Sequence, residues 1–203
     1  MEGSRRSLLA IGAVVAVVAL PAAGCGGGER QDAHEPSATF KVDVVKASFP
    51  TSQKLAKRAE LRVTVRNADT RTIPDLAVTI SSDDPHNAGG GFVTRSDQAG
   101  LADPSKPIWI VDRGPTGGDT AYVSTWALGP VPPGQSRSFV WHVTAIQPGS
   151  HTVRYRVAAG LNGNARAETR NGDEPGGAFK VQISGRPSRA TVDPATGRVV
   201  RSS

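Results

Sequence analysis

Leu61-Arg62-Val63-Thr64-Val65-Arg66 alternates apolar and polar residues, and Asn67-Ala68-Asp69 then breaks the rhythm. A period of two puts Leu61, Val63 and Val65 on one face and Arg62, Thr64 and Arg66 on the other, the mark of a half-buried strand followed by a turn. The same rhythm recurs at Phe40, Val42 and Val44, at Leu76, Val78 and Ile80, and at Phe139, Trp141 and Val143. It returns at Val153, Tyr155 and Val157 and at Phe179, Val181 and Ile183, with weaker alternation over 108–111 and 122–126. Asp84-Pro85, Gly114-Pro115, Pro132-Pro133-Gly134, Pro148-Gly149 and Asn162-Gly163-Asn164 punctuate the runs. Seven to eight short strands spaced by turns predict an all-β, antiparallel β-sandwich. No window reads as an amphipathic helix.

The surrounding composition agrees. The 203 residues include 23 Gly and 15 Pro, which disfavours long helices. All ten aromatic residues fall between Phe40 and Phe179, so a core is expected in residues 38–184. A domain of that size buries about 68–70% of its unfolded surface and needs no disulfide. None is available within the chain, because Cys25 is its single cysteine, and a cysteine-built zinc site is excluded for the same reason.

Upstream of the domain, Arg5 and Arg6 precede thirteen residues, Leu8 to Leu20, without a charged or polar side chain. As a helix these span about 20 Å, short of the roughly 30 Å hydrocarbon core but suited to a secretory signal. Ala22-Ala23-Gly24-Cys25 resembles a bacterial lipobox, with Ala22 where Leu is commonest. The resemblance implies a signal peptide over 1–24, cleavage before Cys25, a diacylglycerol thioether on Cys25 and acylation of the new terminus. It places the chain on the outer face of the bacterial cytoplasmic membrane, with the bilayer as partner through acylated Cys25. An ordinary signal peptide with an incidental cysteine, or an uncleaved anchor, is the alternative. Ser4-Arg5-Arg6-Ser7-Leu8-Leu9 also resembles a twin-arginine export signal, so either export route stays open. Residues 25–37, Gly-rich and polar, are expected to be a flexible tether, and 185–203 a basic, disordered tail.

Within the domain, Arg62-Val63-Thr64-Val65-Arg66-Asn67-Ala68-Asp69-Thr70, Leu128-Gly129-Pro130-Val131-Pro132-Pro133-Gly134-Gln135-Ser136 and Pro148-Gly149-Ser150-His151-Thr152-Val153-Arg154-Tyr155 resemble turn-and-strand patterns of bacterial immunoglobulin-like domains of the CARDB and DUF11 kind. The resemblance implies an immunoglobulin-like sandwich with adhesion or scaffold roles, and carries over no catalytic residue.

Little in the chain points to chemistry. Residues 81–105 form a long insertion holding Asp83-Asp84-Pro85-His86-Asn87 and Gly89-Gly90-Gly91, read as solvated loop because no calcium or phosphate spacing is present. No nucleophile elbow occurs, His34 falls in the tether, His142 alternates away from the core, and His151 is expected in a turn. The expectation is therefore a module that is not an enzyme, without catalytic, cofactor-binding or metal-binding residues. Arg154 and Arg156 are expected on one exposed face, and with Arg186 and Arg189 they are the candidate contacts to an anionic surface or acidic wall polymer. Solubilising charge is the competing reading. Asp193-Pro194-Ala195-Thr196-Gly197 has the residues to close a small hairpin. Nucleic acid is not an expected partner, since no aromatic–basic interleaving occurs. A subunit docking onto a membrane complex, or a hydrolase with a site in the 81–105 insertion, are the alternative functions.

Overall fold

The computed structural model describes residues 32–33, 35–83, 91–94, 107–186, 190–192 and 199–201. The chain divides into two compact units, Met1–Arg30 and Gln31–Ser203. The signal segment and Cys25 lie outside the described residues, as do His34, His86 and Arg189. The second unit is built from strands alone among the described residues.

The strands are β1 (Ala38–Ser48), β2 (Ser52–Lys54), β3 (Arg58–Asn67), β4 (Ala77–Ser82), β5 (Phe92–Thr94), β6 (Trp109–Arg113), β7 (Thr125–Ala127), β8 (Ser136–Ala145), β9 (Gly149–Ala158), β10 (Ala165–Glu168), β11 (Gly176–Ser184), β12 (Ala190–Val192) and β13 (Val199–Arg201). They form a six-stranded sheet, β10-β1-β3-β8-β6-β5, and a five-stranded sheet, β2-β11-β9-β4-β7. Within these, β1-β3-β8-β6 repeats the A-B-E-D order of an immunoglobulin constant-type sheet and β11-β9-β4 its G-F-C order. The fold is an immunoglobulin-like β-sandwich, and the strand order alone establishes it.

The alternation read from the sequence decides what each long strand buries. In β3 and β8 every second side chain, from Leu61 and from Phe139 onward, is buried, and the intervening ones lie on the outer face. β1 switches parity midway: the register against β3 shifts between Val44 and Lys46, and Val45 is left exposed. A bulge of one residue turns the later side chains over, which is how Phe49 reaches the core after Phe40 and Val42.

Antibody domains staple their B and F strands with a disulfide; here β3 and β9 are held by packing. Phe139 stacks on Trp141 with ring centroids 5.9 Å apart, and Trp126 meets Trp141 edge-on at 5.4 Å. A second cluster gathers Phe49, Phe92 and Trp109 with Phe179. Trp109 Nε1 donates to buried Gln53 Oε1 at 2.8 Å, and Gln53 Nε2 donates to Pro50 O, so β2 is pinned through a satisfied polar pair.

Several expectations need correction. Among the described residues the two sheets hold eleven strands rather than seven or eight. Three edge pairings are parallel: β1 with β10, β2 with β11, and β5 with β6. These added strands β2, β5 and β10 have three or four residues, too few for an alternation to show. Residues 122–126 were expected as a strand, yet only Thr125–Ala127 pairs, and the chain turns before it with Ser124 at φ 52°. His151 lies inside β9, not in the preceding turn, with its ring edge-on to Trp109 at 5.8 Å. The expected flexible tether includes Asp32 and Glu35, both of which bond to the domain. In the tail, β12 and β13 pair antiparallel, where disorder was the reading for 185–203 as a whole, and the Asp193–Gly197 segment expected to close a hairpin lies outside the described residues.

Candidate binding surface

The outer face of the five-stranded sheet holds open ground beside its arginines. Cross-strand register places Gly176, Arg156, Thr79 and Thr125 in one rung across β11, β9, β4 and β7. Ala178, Arg154 and Ser81 form the next rung on the same face. Each arginine is therefore flanked by small side chains, and the sheet surface lies open beside it. Thr79 and Thr125 share a hydroxyl hydrogen bond of 2.9 Å across the β4–β7 pair.

Two connected hollows follow from this pattern. The larger, about 610 Å³, runs from Thr79 and Thr125 past Arg156 to the β9–β10 connection and Tyr122. The smaller, about 450 Å³, lies around Arg154 and Ala178, and Thr79, Arg156 and Glu174 belong to both. At the rim, Tyr122 and Val123 project from the turn before β7, and Val123 is 78% exposed. Ser124 in its left-handed conformation aims its carbonyl at Ile80 N, 2.9 Å away, which ties this turn to β4.

The arginines are exposed, as their alternation predicts, and each described one on this face has an acid beside it. Arg154 grips Asp83 with two hydrogen bonds, Nε to Oδ1 at 2.6 Å and Nη2 to Oδ2 at 2.9 Å. That guanidinium holds the Asp83 carboxyl below its ordinary range. Arg156 Nη1 is 3.5 Å from Glu174 Oε1. Arg186 follows β11 and is exposed, with its backbone carbonyl accepting from Ser184 Oγ. On the opposite sheet Arg66 and Arg170 converge on Asp43, and Arg62 pairs with Glu60. The outer face therefore has local dipoles from ion pairs rather than an uncompensated basic field.

For chemistry, the described histidines are engaged elsewhere. His142 Nε2 lies 2.8 Å from Arg113 Nη2 on the exposed side of β8, and His151 Nε2 lies 3.2 Å from the Gln147 carbonyl. Among the described residues no group of three His, Cys, Asp or Glu side chains is placed to hold a metal. Of the 81–105 insertion, residues 84–90 and 95–105 lie outside the described residues, and Asp83 is occupied by Arg154.

Sequence reasoning missed Glu174 as the acid beside Arg156, because the two come together only through the β9–β11 pairing. It also missed Tyr122 as a groove wall, having read it as a strand residue. The glycine and alanine opposite the arginines are the signal that was legible: small residues at alternate positions of β11 leave room over β9.

No family model and no curated protein matches the chain. Solved structures do. The CARDB domain of a Pyrococcus furiosus protein, described in complex with di-metal ions, is 14% identical, with 72% of this chain and 94% of that chain covered and a TM-score of 0.43. The segment of Escherichia coli alpha-2-macroglobulin from domain MG7 to the C-terminus is 12% identical over 79% of this chain and 21% of that one, with a TM-score of 0.42. Salmonella alpha-2-macroglobulin reacted with methylamine gives 12%, 74% and 7%, with a TM-score of 0.39. This chain thus spans about a fifth or less of the macroglobulin chains it is similar to.

Proposed function

We propose that the protein is a lipid-anchored lipoprotein on the outer face of the bacterial cytoplasmic membrane, whose sandwich is a non-catalytic binding module. The anchoring half of the reading rests on the sequence: a positive start, thirteen apolar residues and a small-residue run ending at the single cysteine, Cys25. A diacylglycerol thioether with an acylated amino terminus provides more than one chain, and about 0.8 kcal/mol per buried CH₂ makes such an anchor stable.

The binding half rests on one observation, the two rungs of the five-stranded sheet where small residues leave Arg154 and Arg156 over an open floor. Arginine forks suit phosphates and carboxylates. A polyanion such as an acidic wall polymer or anionic headgroup surface exchanges with Asp83 and Glu174 for the same guanidinium groups, and Arg186 and Arg189 add charge beyond β11.

The anchoring is tested by intact mass and membrane partitioning of the full chain beside Cys25→Ala. The wild type should enter the membrane fraction with a diacylglycerol-sized mass gain, and the variant should do neither. If both stay soluble and unmodified, the anchor is wrong and a secreted role replaces it. The binding face is tested with the unlipidated full chain on anionic and neutral vesicles and on isolated wall polymer. Binding that requires negative charge, weakens with salt and drops in an Arg154→Ala/Arg156→Ala double variant supports the surface. Binding indifferent to both substitutions removes it.

A further inference from the structure

The chain just before β1 carries the composition of a spacer, yet its carboxylates are engaged in a way no spacer requires. Glu35 Oε1 accepts from the backbone N–H of Leu161, and its Oε2 accepts from that of Asn162 at 3.1 Å. Two successive amides pointing at one carboxylate make a backbone nest, the geometry that binds anions without a cationic side chain. Asp32 makes the second contact. It is 3% exposed, its Oδ2 accepts from Tyr122 Oη at 2.6 Å, and its carbonyl accepts from Asn162 Nδ2 at 3.0 Å and from Glu35 N at 3.3 Å.

Gly160 shows how closely the segment is seated. A Cβ built there would meet the Glu35 carboxylate, so an added side chain displaces that carboxylate from its present seat. Pro36 adds a further constraint: the residue before a proline is driven toward extended backbone, which leads Glu35 directly into β1. Tyr122, Gly160 and Leu161 also line one end of the larger groove, so the docked segment borders it.

We propose that Asp32 and Glu35 form a latch that docks the tether onto the Gly160–Asn162 turn and Tyr122 and so sets the working length of the membrane tether. This rests on the lipoprotein reading above. Among the described residues, β1 begins at Ala38, thirteen residues after Cys25, whereas the latch holds the chain at Asp32, seven residues after it. At about 3.5 Å per residue the greatest possible reach falls from about 45 Å to about 25 Å. The device thus controls how far the groove stands from the lipid attachment point, by using two carboxylates in place of a stiff linker.

The test compares wild type with Glu35→Gln, which keeps the shape but loses one acceptor, and with Gly160→Ala, which disturbs the nest from the domain side. Hydrogen exchange on the full unlipidated chain should show Leu161 and Asn162 amides protected in the wild type. Both should exchange about tenfold faster in each variant. Unchanged amides in β3 and β8 report that the sandwich is intact. If the Leu161 and Asn162 amides exchange like open loop in the wild type, or ignore both substitutions, the latch is overturned. On vesicles carrying the lipidated chain, energy transfer from the tryptophans to a dansyl headgroup lipid should fall in both variants. Equal transfer in all three overturns the length-setting role. A wild type that gains no lipid mass and stays off vesicles overturns the anchor and the length-setting role together, while the amide comparison still decides the latch.

Discussion

Asn67 Nδ2 donates to Val131 O at 2.7 Å from a fully buried position. The same amide donates to Arg71 O at 2.8 Å, and Asn67 Oδ1 accepts from Asp69 N at 2.9 Å. One side chain at the end of β3 thereby closes the turn into β4 and clips it to the segment before β8. Replacement by alanine removes three hydrogen bonds, of which the one to Val131 is buried, and each is worth about 0.5–1.5 kcal/mol net. Asn67→Ala should lower stability by about 3 kcal/mol in urea unfolding. Asn67→Asp should not restore it, because a carboxylate has no hydrogen to donate to the two carbonyls.

Acid should weaken the same end of the domain. Asp69 is held well below the usual carboxylate range, first by the Arg71 side chain and then by the Lys41 and Arg71 backbone amides. Asp43 is lowered by Arg66 and then Arg170. A carboxyl depressed in the folded state adds stability that is fully present above its unfolded value of about 3.9 and is lost as pH falls through the folded one. Stability should therefore decline as pH drops below about 4, and Asp69→Asn should flatten that decline. A pH series of urea midpoints checks it.

Asp75 should behave in the opposite sense. Burial raises its folded value, opposed by the Gly129 N–H that it accepts at 2.9 Å and assisted by the nearby Glu35 charge. For a raised acid, stability falls as pH rises through the window between the unfolded and folded values, and the cost is complete once pH exceeds the folded value. Asp75→Asn keeps the acceptor and removes the charge. It should raise the urea midpoint at pH 7, with the gain shrinking below pH 4.

The tryptophan pair should dominate core energetics. Trp141 is fully buried between Phe139 and Trp126, and its Nε1 has no hydrogen-bond partner among the described residues. Trp141→Ala should cost about 3–5 kcal/mol. Trp141→Phe should cost less, because it retains a stacking ring and removes an unsatisfied donor.

A milder effect is expected at the groove rim. Ser124 is in the left-handed region, which costs any L-residue roughly 1–2 kcal/mol and is rarer still for a β-branched side chain. Ser124→Val should lower the urea midpoint, whereas Ser124→Gly, which relieves the left-handed strain, should not. If the turn moves, the hydrogen exchange of the Ile80 amide should rise with it, since Ser124 O is its acceptor.

The sequence by itself determined the long strands and their inward faces. Alternation in β3, β8 and β9 is a local property, because successive side chains of any extended chain point to opposite sides, and burial of one side demands apolar residues there. The exposure of Arg154 and Arg156 was legible for the same reason. Tertiary structure alone decided the rest. The parallel edge strands β2, β5 and β10 are stabilised by backbone hydrogen bonds to a neighbour, which leave no trace in side-chain pattern. The Val45 bulge shows only when β1 is laid against β3. Glu174 meets Arg156, and Glu35 meets Leu161, across separations of 18 and 126 residues, so only the folded chain brings each pair together. Backbone amides are the same in every residue; which of them a carboxylate finds is settled by packing, not by composition.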